Sequence, residues 1–429
     1  MAVNPRWGRR AVLRTGAAAL GGAGTGWSAA VALDGSRSVG AVGAAGAPGT
    51  TDAGAPAAAI ASEPELGNQT VPFHGPRQSG VATPPQAHLS LLGLDLHQAD
   101  RGVLERLMRL LSDDAARLSR GLPALADTEP ELAARPARLT MTFGFGPRLM
   151  TDLVPDAGGA FDALPDFGTD RLDPAWGQTD VAVQICADDP LTVAHARRMV
   201  LKDCVGLARL RWVQHGFRRA RGAEPDGTTM RNVLGQVDGT VNPDQADPDF
   251  DQLVWRASEP LAGGTVMVVR RIRARMEAWD KVDRAGREAV VGRRLDNGAP
   301  LTGTREHDEP DFEATDRLGF PVIDPASHVA RARSDDPAER FLRRGYNYAV
   351  PDPARPSGED SGLVFIAYAA DVGRQFVPVQ RRLAELDRLN TWVTTIGSAV
   401  YAVPPGAAEG EFVGQRLLGA APPAAEARS

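Results

Sequence analysis

Three short stretches carry residues whose types and spacing could do chemistry. Gly235-Gln-Val-Asp238-Gly239-Thr240 sets an acid in a glycine-rich turn. His328 stands alone in Pro325-Ala-Ser-His328-Val-Ala-Arg331. Arg343-Arg344-Gly345-Tyr346 follows about one short helix later. A carboxylate can move protons, an imidazole can bind a metal, and a guanidinium can stabilise developing negative charge. Taken singly, each stretch is commonplace. Asp-Gly steps usually make turns, lone histidines usually sit in a core or at a surface, and paired arginines beside glycine usually form a solvated face.

Their combination narrows the chemistry. His74, His88, His97, His195, His215 and His307 fall in no pattern that could make a three-histidine metal site. Haem iron needs only one axial imidazole, with an acceptor on the other ring nitrogen to fix the tautomer. Gly235 and Gly239 would let the backbone around Asp238 approach a flat ligand closely. An arginine on the open side would steady the charge formed as bound peroxide splits. The residues themselves therefore suggest a haem pocket with His328 as the iron ligand.

The elements that must position these groups read as α+β. Strands are expected at Ala87–Leu96, Arg138–Phe145, Val181–Ala187, Gly264–Arg273, Gly362–Ala369 and Ser398–Val403. Helices are expected at Asp100–Arg120, where Leu104, Leu107, Leu110, Leu111 and Leu118 recur at helical spacing, and at Pro190–Leu210, Arg275–Val290 and Phe376–Thr394. The strand–helix–strand order occurs twice, which suggests two α+β halves packed together.

The chain has 429 residues, 43% of them hydrophobic, enough for a sizeable core, and a formal charge of −6 that argues against nucleic acid as a partner. Cys186 and Cys204 are too few for a disulfide framework or a thiolate metal site; two buried free thiols are expected, with a single bridge between them as the alternative. Residues 1–32 read as a twin-arginine (Tat) export signal: Arg9-Arg10-Ala-Val-Leu-Arg14, then an Ala/Gly-rich run, then Ala30-Val-Ala32 as a cleavage site. That run is too short and glycine-rich to span a membrane, so no span is expected after cleavage. The signal carries four arginines and no acids, and its loss would take the charge from −6 to −10. Residues 33–70 read as a flexible Ala/Gly/Pro linker and residues 406–429 as a flexible tail, being poor in large apolar side chains or rich in Ala, Pro and Glu.

With these stretches in view, the chain resembles the dye-decolourising peroxidases, in particular their Tat-exported, deferrochelatase-like bacterial branch. The resemblance runs from Val71-Pro-Phe-His-Gly-Pro76 to Ala402-Val-Pro-Pro405. Its blocks are Gly-x-x-Asp-Gly at Gly235, Asp238 and Gly239, Thr142-Phe-Gly-Phe-Gly146, Val268-Val-Arg-Arg-Ile-Arg273, Gly292-Arg-Arg294 with Gly298-Ala-Pro-Leu-Thr-Gly303, Leu342-Arg-Arg-Gly-Tyr-Asn-Tyr348 and Gly362-Leu-Val-Phe365. Arg77 departs from it, standing where a histidine is expected.

The resemblance implies the dimeric α+β barrel-like peroxidase fold of two ferredoxin-like halves, 71–225 and 226–405, with one haem b held by the second. It implies His328 as the axial ligand, Asp238 and Arg343 as the catalytic pair on the open face, Leu363 and Phe365 as apolar walls, and Asp387 as the His328 acceptor. The implied reaction uses hydrogen peroxide to oxidise dyes and phenolics through a ferryl haem, best in mild acid. Large donors would give up electrons at surface aromatics, for which Tyr346, Tyr348, Tyr368, Tyr401, Trp255 and Trp392 are candidates. A homo-oligomer and a periplasmic or extracellular location fit the same picture. The alternative is haem handling or iron release, with iron-uptake partners.

Overall fold

The computed structural model describes residues 66–154 and 163–419. The signal and the linker up to residue 65 lie outside the described residues. Residues 66–70 are tied to the folded unit, since the carbonyls of Gly67 and Gln69 accept from Ala137 and Arg138 N–H.

The first half runs β1 (His88–Leu96), α1 (Arg101–Leu118), β2 (Thr140–Phe145), α2 (Pro147–Leu153), β3 (Val181–Ala187), α3 (Pro190–Asp203) and β4 (Ala208–Phe217). The second runs α4 (Phe250–Val254), β5 (Thr265–Ala274), α5 (Met276–Trp279), α6 (Arg284–Val291), α7 (His328–Ala332), β6 (Leu342–Arg343), β7 (Tyr346–Pro351), β8 (Glu359–Ala369), α8 (Phe376–Leu386) and β9 (Val393–Val403). Strand order is β4-β1-β3-β2 in the first half and β9-β5-β8-β7 in the second, all antiparallel. Each is the ferredoxin-like arrangement. Single-residue bridges, Phe145 to Ala402 and Phe217 to Asn347, join the halves into one barrel-like sheet.

Strands buried on both faces explain the near-continuous apolar runs. In β8, Val364, Ile366 and Tyr368 point into the barrel interior, while Leu363, Phe365 and Ala367 face outward toward helices. On the first half α1 and α3 cover the outer face. Asp100 caps α1 through Val103 N–H, and Leu104, Leu107, Leu111 and Leu118 are buried beneath it. Leu110, expected on that face, is 39% exposed.

Several expectations need correction. The helix expected to reach Leu210 ends at Asp203; Gly206, at φ +77°, turns the chain into β4. β4 was not anticipated because Gln214 and Gly216 fill its inward positions beside Trp212, and a bulge at Arg211, between Leu210 and Trp212, shifts its alternation by one residue. The apolar outward positions, Leu210, Val213 and Phe217, are thereby put out of a simple two-residue period. Asp283 caps a fresh helix and splits Arg275–Val290 into α5 and α6. The segment from 406, read as a flexible tail, is packed as far as it is described. Ala407, Phe412, Val413 and Leu418 are buried in the main core, and Val413 N–H donates to Ser112 Oγ of α1. Four spaced apolar residues sufficed against a pre-formed helical face.

Cys186 and Cys204 are free and buried, and burial pushes the Cys204 thiol up to about 12. Beside Cys204, Asp203 of α3 shares a hydrogen bond with Asp114 of α1. Burial, then the Asp114 charge, raises the Asp203 carboxyl from 3.8 to about 8. A carboxyl raised above its unfolded value binds its proton more tightly in the native state, so stability falls as pH climbs from about 4 to 8. Asp203→Asn keeps the shape and removes that titration. The variant is expected to gain thermal stability over wild type at pH 8 and lose the gain by pH 5, read from melting curves at the two pH values. Equal shifts at both would show that the pair holds no shared proton.

Candidate functional site

A cavity of about 830 Å³ lies on the outer face of the second half's sheet, within the size range of cofactor sites. Its floor is formed by β5 and β8, through Arg270, Ile272, Leu363 and Phe365. Its walls are α7, α8 and the 232–242 loop. Phe365 meets Phe341 and Phe376 edge-on or tilted, with ring centroids 6.3 and 6.1 Å away, making one side firm and apolar.

His328 opens α7 and faces this cavity. The turn before it is stitched to the corner after α8: Arg388 N–H donates to Ala326 O, and Arg388 pairs with Asp324 at 2.6 Å. That corner also brings Asp387. Its Oδ2 lies 2.7 Å from His328 Nδ1, while Oδ1 caps the following turn through Leu389 N–H. Asp387 is 3% exposed, whereas the imidazole is 38% accessible, on its cavity side. Burial disfavours charge on His328, yet the Asp387 carboxylate outweighs it and holds the ring above its ordinary value. With Nδ1 engaged, Nε2 is the nitrogen left for a metal.

Asp238 projects from the glycine turn. Gly235 and Gly239 adopt φ of +84° and +135°, open to glycine at little cost. Gly239 lines the cavity, but Gly235 does not. Gly235 closes the turn, its N–H donating to Asn232 O. Asn232 Nδ2 donates to Asp238 Oδ2 at 3.2 Å, and its Oδ1 accepts from Leu234 and Gln236 N–H. Arg343 Nη1 stands 3.6 Å from Asp238 Oδ1.

Arg343 is placed by two anchors that sequence reasoning missed. Asn242 clamps its backbone, accepting from Arg343 N–H at 2.6 Å and donating to its carbonyl at 2.9 Å. The next residue, Arg344, points into the barrel and binds Thr83 O and Gln86 Oε1. Adjacent arginines thus point to opposite faces of the sheet edge, as a strand requires. The position of Asn242, seven residues after Gly235 and just before Pro243, was the available signal.

Arg77, the departure noted above, forms a two-pronged pair with Asp251 and stacks 4.4 Å over Trp255, outside the cavity wall. All four tyrosines are at most 1% exposed, so none can act as a surface contact. Burial raises each phenol well above its usual pKa. Trp392 is the half-buried member of a pair with Trp279, whose centroid is 5.4 Å away.

An axial-type imidazole with a carboxylate behind it, an acid and a guanidinium 3.6 Å apart, and an apolar floor fit a haem. Known proteins agree. Residues 78–218 match the model of the Dyp-type peroxidase N-terminal region and residues 229–408 that of the C-terminal region. A dye-decolorizing peroxidase of Thermobifida fusca (strain YX) is 37% identical over 365 residues, 80% of this chain and 83% of that protein. A deferrochelatase of Escherichia coli (strain K12) is 34% identical over 380 residues, 83% of this chain and 89% of its own. The crystal structure of a DyP-type peroxidase from Cellulomonas bogoriensis superposes with a TM-score of 0.78 at 54% identity, covering 82% of this chain and 99% of that one. Ferric DtpA from Streptomyces lividans gives 0.78 at 40% identity, with 82% and 98% covered. The chain belongs to the Dyp-type peroxidase family.

Proposed function

We propose that this haem peroxidase holds haem b through His328 and spends hydrogen peroxide on organic donors, with Asp238 and Arg343 handling the peroxide. The observation that carries the reading is the grouping of His328–Asp387 and Asp238–Arg343 around one cavity. When bound, the haem supplies an iron that accepts peroxide and stores its oxidising equivalents. The protein's share is acid–base and electrostatic. Asp238 takes the proton from the near peroxide oxygen and returns it to the leaving oxygen, which departs as water. Arg343 steadies the negative charge as the O–O bond parts. Asp387 keeps His328 in one tautomer and makes it a stronger donor. Leu363 and Phe365 exclude bulky molecules from the site.

The test is the absorption spectrum of haemin-loaded protein before and after one equivalent of peroxide. A Soret band that shifts within the mixing time and returns on adding a dye supports the peroxidase. A band indifferent to peroxide turns the reading to its alternative, haem-iron release, which the deferrochelatase relatives favour.

Donors too large for the cavity would be oxidised at Trp392. Its partner Trp279 is fully buried and donates to Leu234 O, and Leu234, Leu389 and Val393 line the cavity. Trp392→Phe is expected to slow turnover of a bulky sulfonated dye by roughly tenfold, about 1.4 kcal/mol of barrier. The spectral response to peroxide should stay within about twofold. Unchanged dye turnover would exclude Trp392 as the relay.

Among the described residues no helix is long and apolar enough to cross a membrane. The twin-arginine stretch supports Tat export, to the periplasm or beyond the cell, after haem loading in the cytoplasm. Residues 71–225 and 226–405 would then form the two halves, the second carrying the haem. Assembly into an oligomer and contact with iron-uptake proteins belong to the same proposal.

A further inference from the structure

The four tyrosines of the chain all lie in the barrel interior. Three of their hydroxyls meet ordinary polar groups. Tyr348 donates to Asp360 Oδ1 at 3.4 Å, Tyr368 donates to Gln184 Oε1 at 2.8 Å, and Tyr401 lies 2.8 Å from Thr179 Oγ1. Tyr346 differs. Its hydroxyl donates to a thiol, Cys186 Sγ, at 3.5 Å, and both residues are 0% exposed. They are 160 residues apart in sequence, Tyr346 on β7 of the second half and Cys186 on β3 of the first. A buried thiol is ordinarily inert because reagents do not reach it. This one needs no reagent, only the removal of electrons from the phenol it touches.

Tyr346 is placed to lose them. It opposes Val364 in the β7–β8 register, and Val364 stands between Leu363 and Phe365, which floor the cavity. Gly345, just before it, lies against Leu363: a Cβ there would come within 3.5 Å of Leu363 Cδ1. A single layer of strands therefore separates the Tyr346 ring from the cavity. The guanidinium of Arg218 lies 5.2 Å over that ring, and the buried Arg344 acts on the same phenol. Two cations so close disfavour a positively charged ring, so an electron leaves together with the phenolic proton. The neutral radical that remains shares its unpaired electron with the ring carbons ortho to the oxygen. The Cys186 sulfur lies at that end of the ring.

We propose that Cys186 and Tyr346 become joined by a thioether bond when the enzyme meets hydrogen peroxide in the absence of a donor. This rests on the haem reading above. Peroxide is the oxidant, and its two oxidising equivalents are drawn inward from the cavity. The first removes one electron from Tyr346, and the phenolic proton leaves. The sulfur then bonds to an ortho carbon as the S–H bond breaks and releases its proton. The second equivalent removes one electron from the adduct, and the ortho C–H proton moves to the phenol oxygen, restoring the aromatic ring. The pair has given up two electrons and two protons, which convert one hydrogen peroxide into two waters. The bond ties β3 to β7, across halves whose strands meet only at single-residue bridges.

The test is a peptide map. Haem-loaded protein is exposed to hydrogen peroxide without a donor, then denatured, alkylated, digested and analysed by mass spectrometry. The expected result is a linked pair of peptides carrying Cys186 and Tyr346, lighter than their sum by two hydrogens and resistant to reducing agents. Alkylatable thiols should fall from two per chain to one, with Cys204 the survivor. Apo-protein given the same peroxide should show no link. Tyr346→Phe and Cys186→Ser should each abolish it while the Soret band still responds to peroxide. An unlinked Cys186 in wild type whose Soret band does respond would overturn this inference and leave the haem reading standing. Added oxygen on Cys186 in place of the link, or a link formed equally without haem, would overturn it too. If a variant fails to fold, the fragment spectrum of the wild-type pair decides, since a bond to any residue other than Tyr346 sinks the proposal. Absence of a Soret band in wild type would bring down the haem reading and this inference together.

Discussion

His328→Ala is expected to emerge from haemin reconstitution without a histidine-ligated Soret band, while its apo form melts close to wild type. The imidazole is 38% accessible and stands on the first turn of α7, so truncating it leaves no core void. What it loses is the ligand and the tautomer lock of the 2.7 Å contact to Asp387. Asp387→Ala should act through the same bond but less severely, since outer partners of metal-binding histidines typically change affinity by about 10–100-fold. It also uncaps the turn at Leu389, so its apo melting temperature should drop where that of His328→Ala does not. A wild-type spectrum and full haem occupancy in His328→Ala would exclude this histidine as the ligand.

The second large effect is expected on peroxide activation. Asp238→Asn keeps the size and the contact to Asn232 but removes the proton acceptor, which should slow the spectral response to peroxide by roughly 10²–10⁴-fold. Arg343→Leu removes the cation 3.6 Å away, for an expected loss of about 10²–10³-fold. Both groups act on one event, so the double variant should lose far less than the product of the single losses. Haem content should be unchanged in all three, which separates this result from that at His328. Stopped-flow traces at wild-type rates in both single variants would remove the assigned roles. Fully multiplicative losses would place the two groups on different steps.

Much of this arrangement is legible in the sequence because the informative residues are local. Strands buried on both faces announce themselves as apolar runs, and β1, β3 and β8 lie where those runs are. Glycines at positive φ mark the Asp238 turn. What escapes depends on partners distant in sequence. β4 is half a strand by pattern, because its inward Gln214 answers Arg271 of the other half rather than an apolar neighbour. Asn242 looks like any loop asparagine until Arg343, 101 residues on, comes to meet it. The tyrosines were legible as aromatics but not as interior ones, since the barrel interior exists only once the two halves close.

The packed segment beyond β9 bears on how such a chain is made. Phe412, Val413 and Leu418 belong to the same apolar cluster as Leu107, Leu111 and Phe145 of the first half. Gly75 N–H donates to Ala407 O and Gly406 N–H to Pro76 O, so the opening of the folded unit is also fastened to its close. The first half synthesised thus cannot finish its core until the segment beyond β9 has left the ribosome. A ribosome-bound nascent chain that still held this segment in the exit tunnel would carry an unsealed layer over α1.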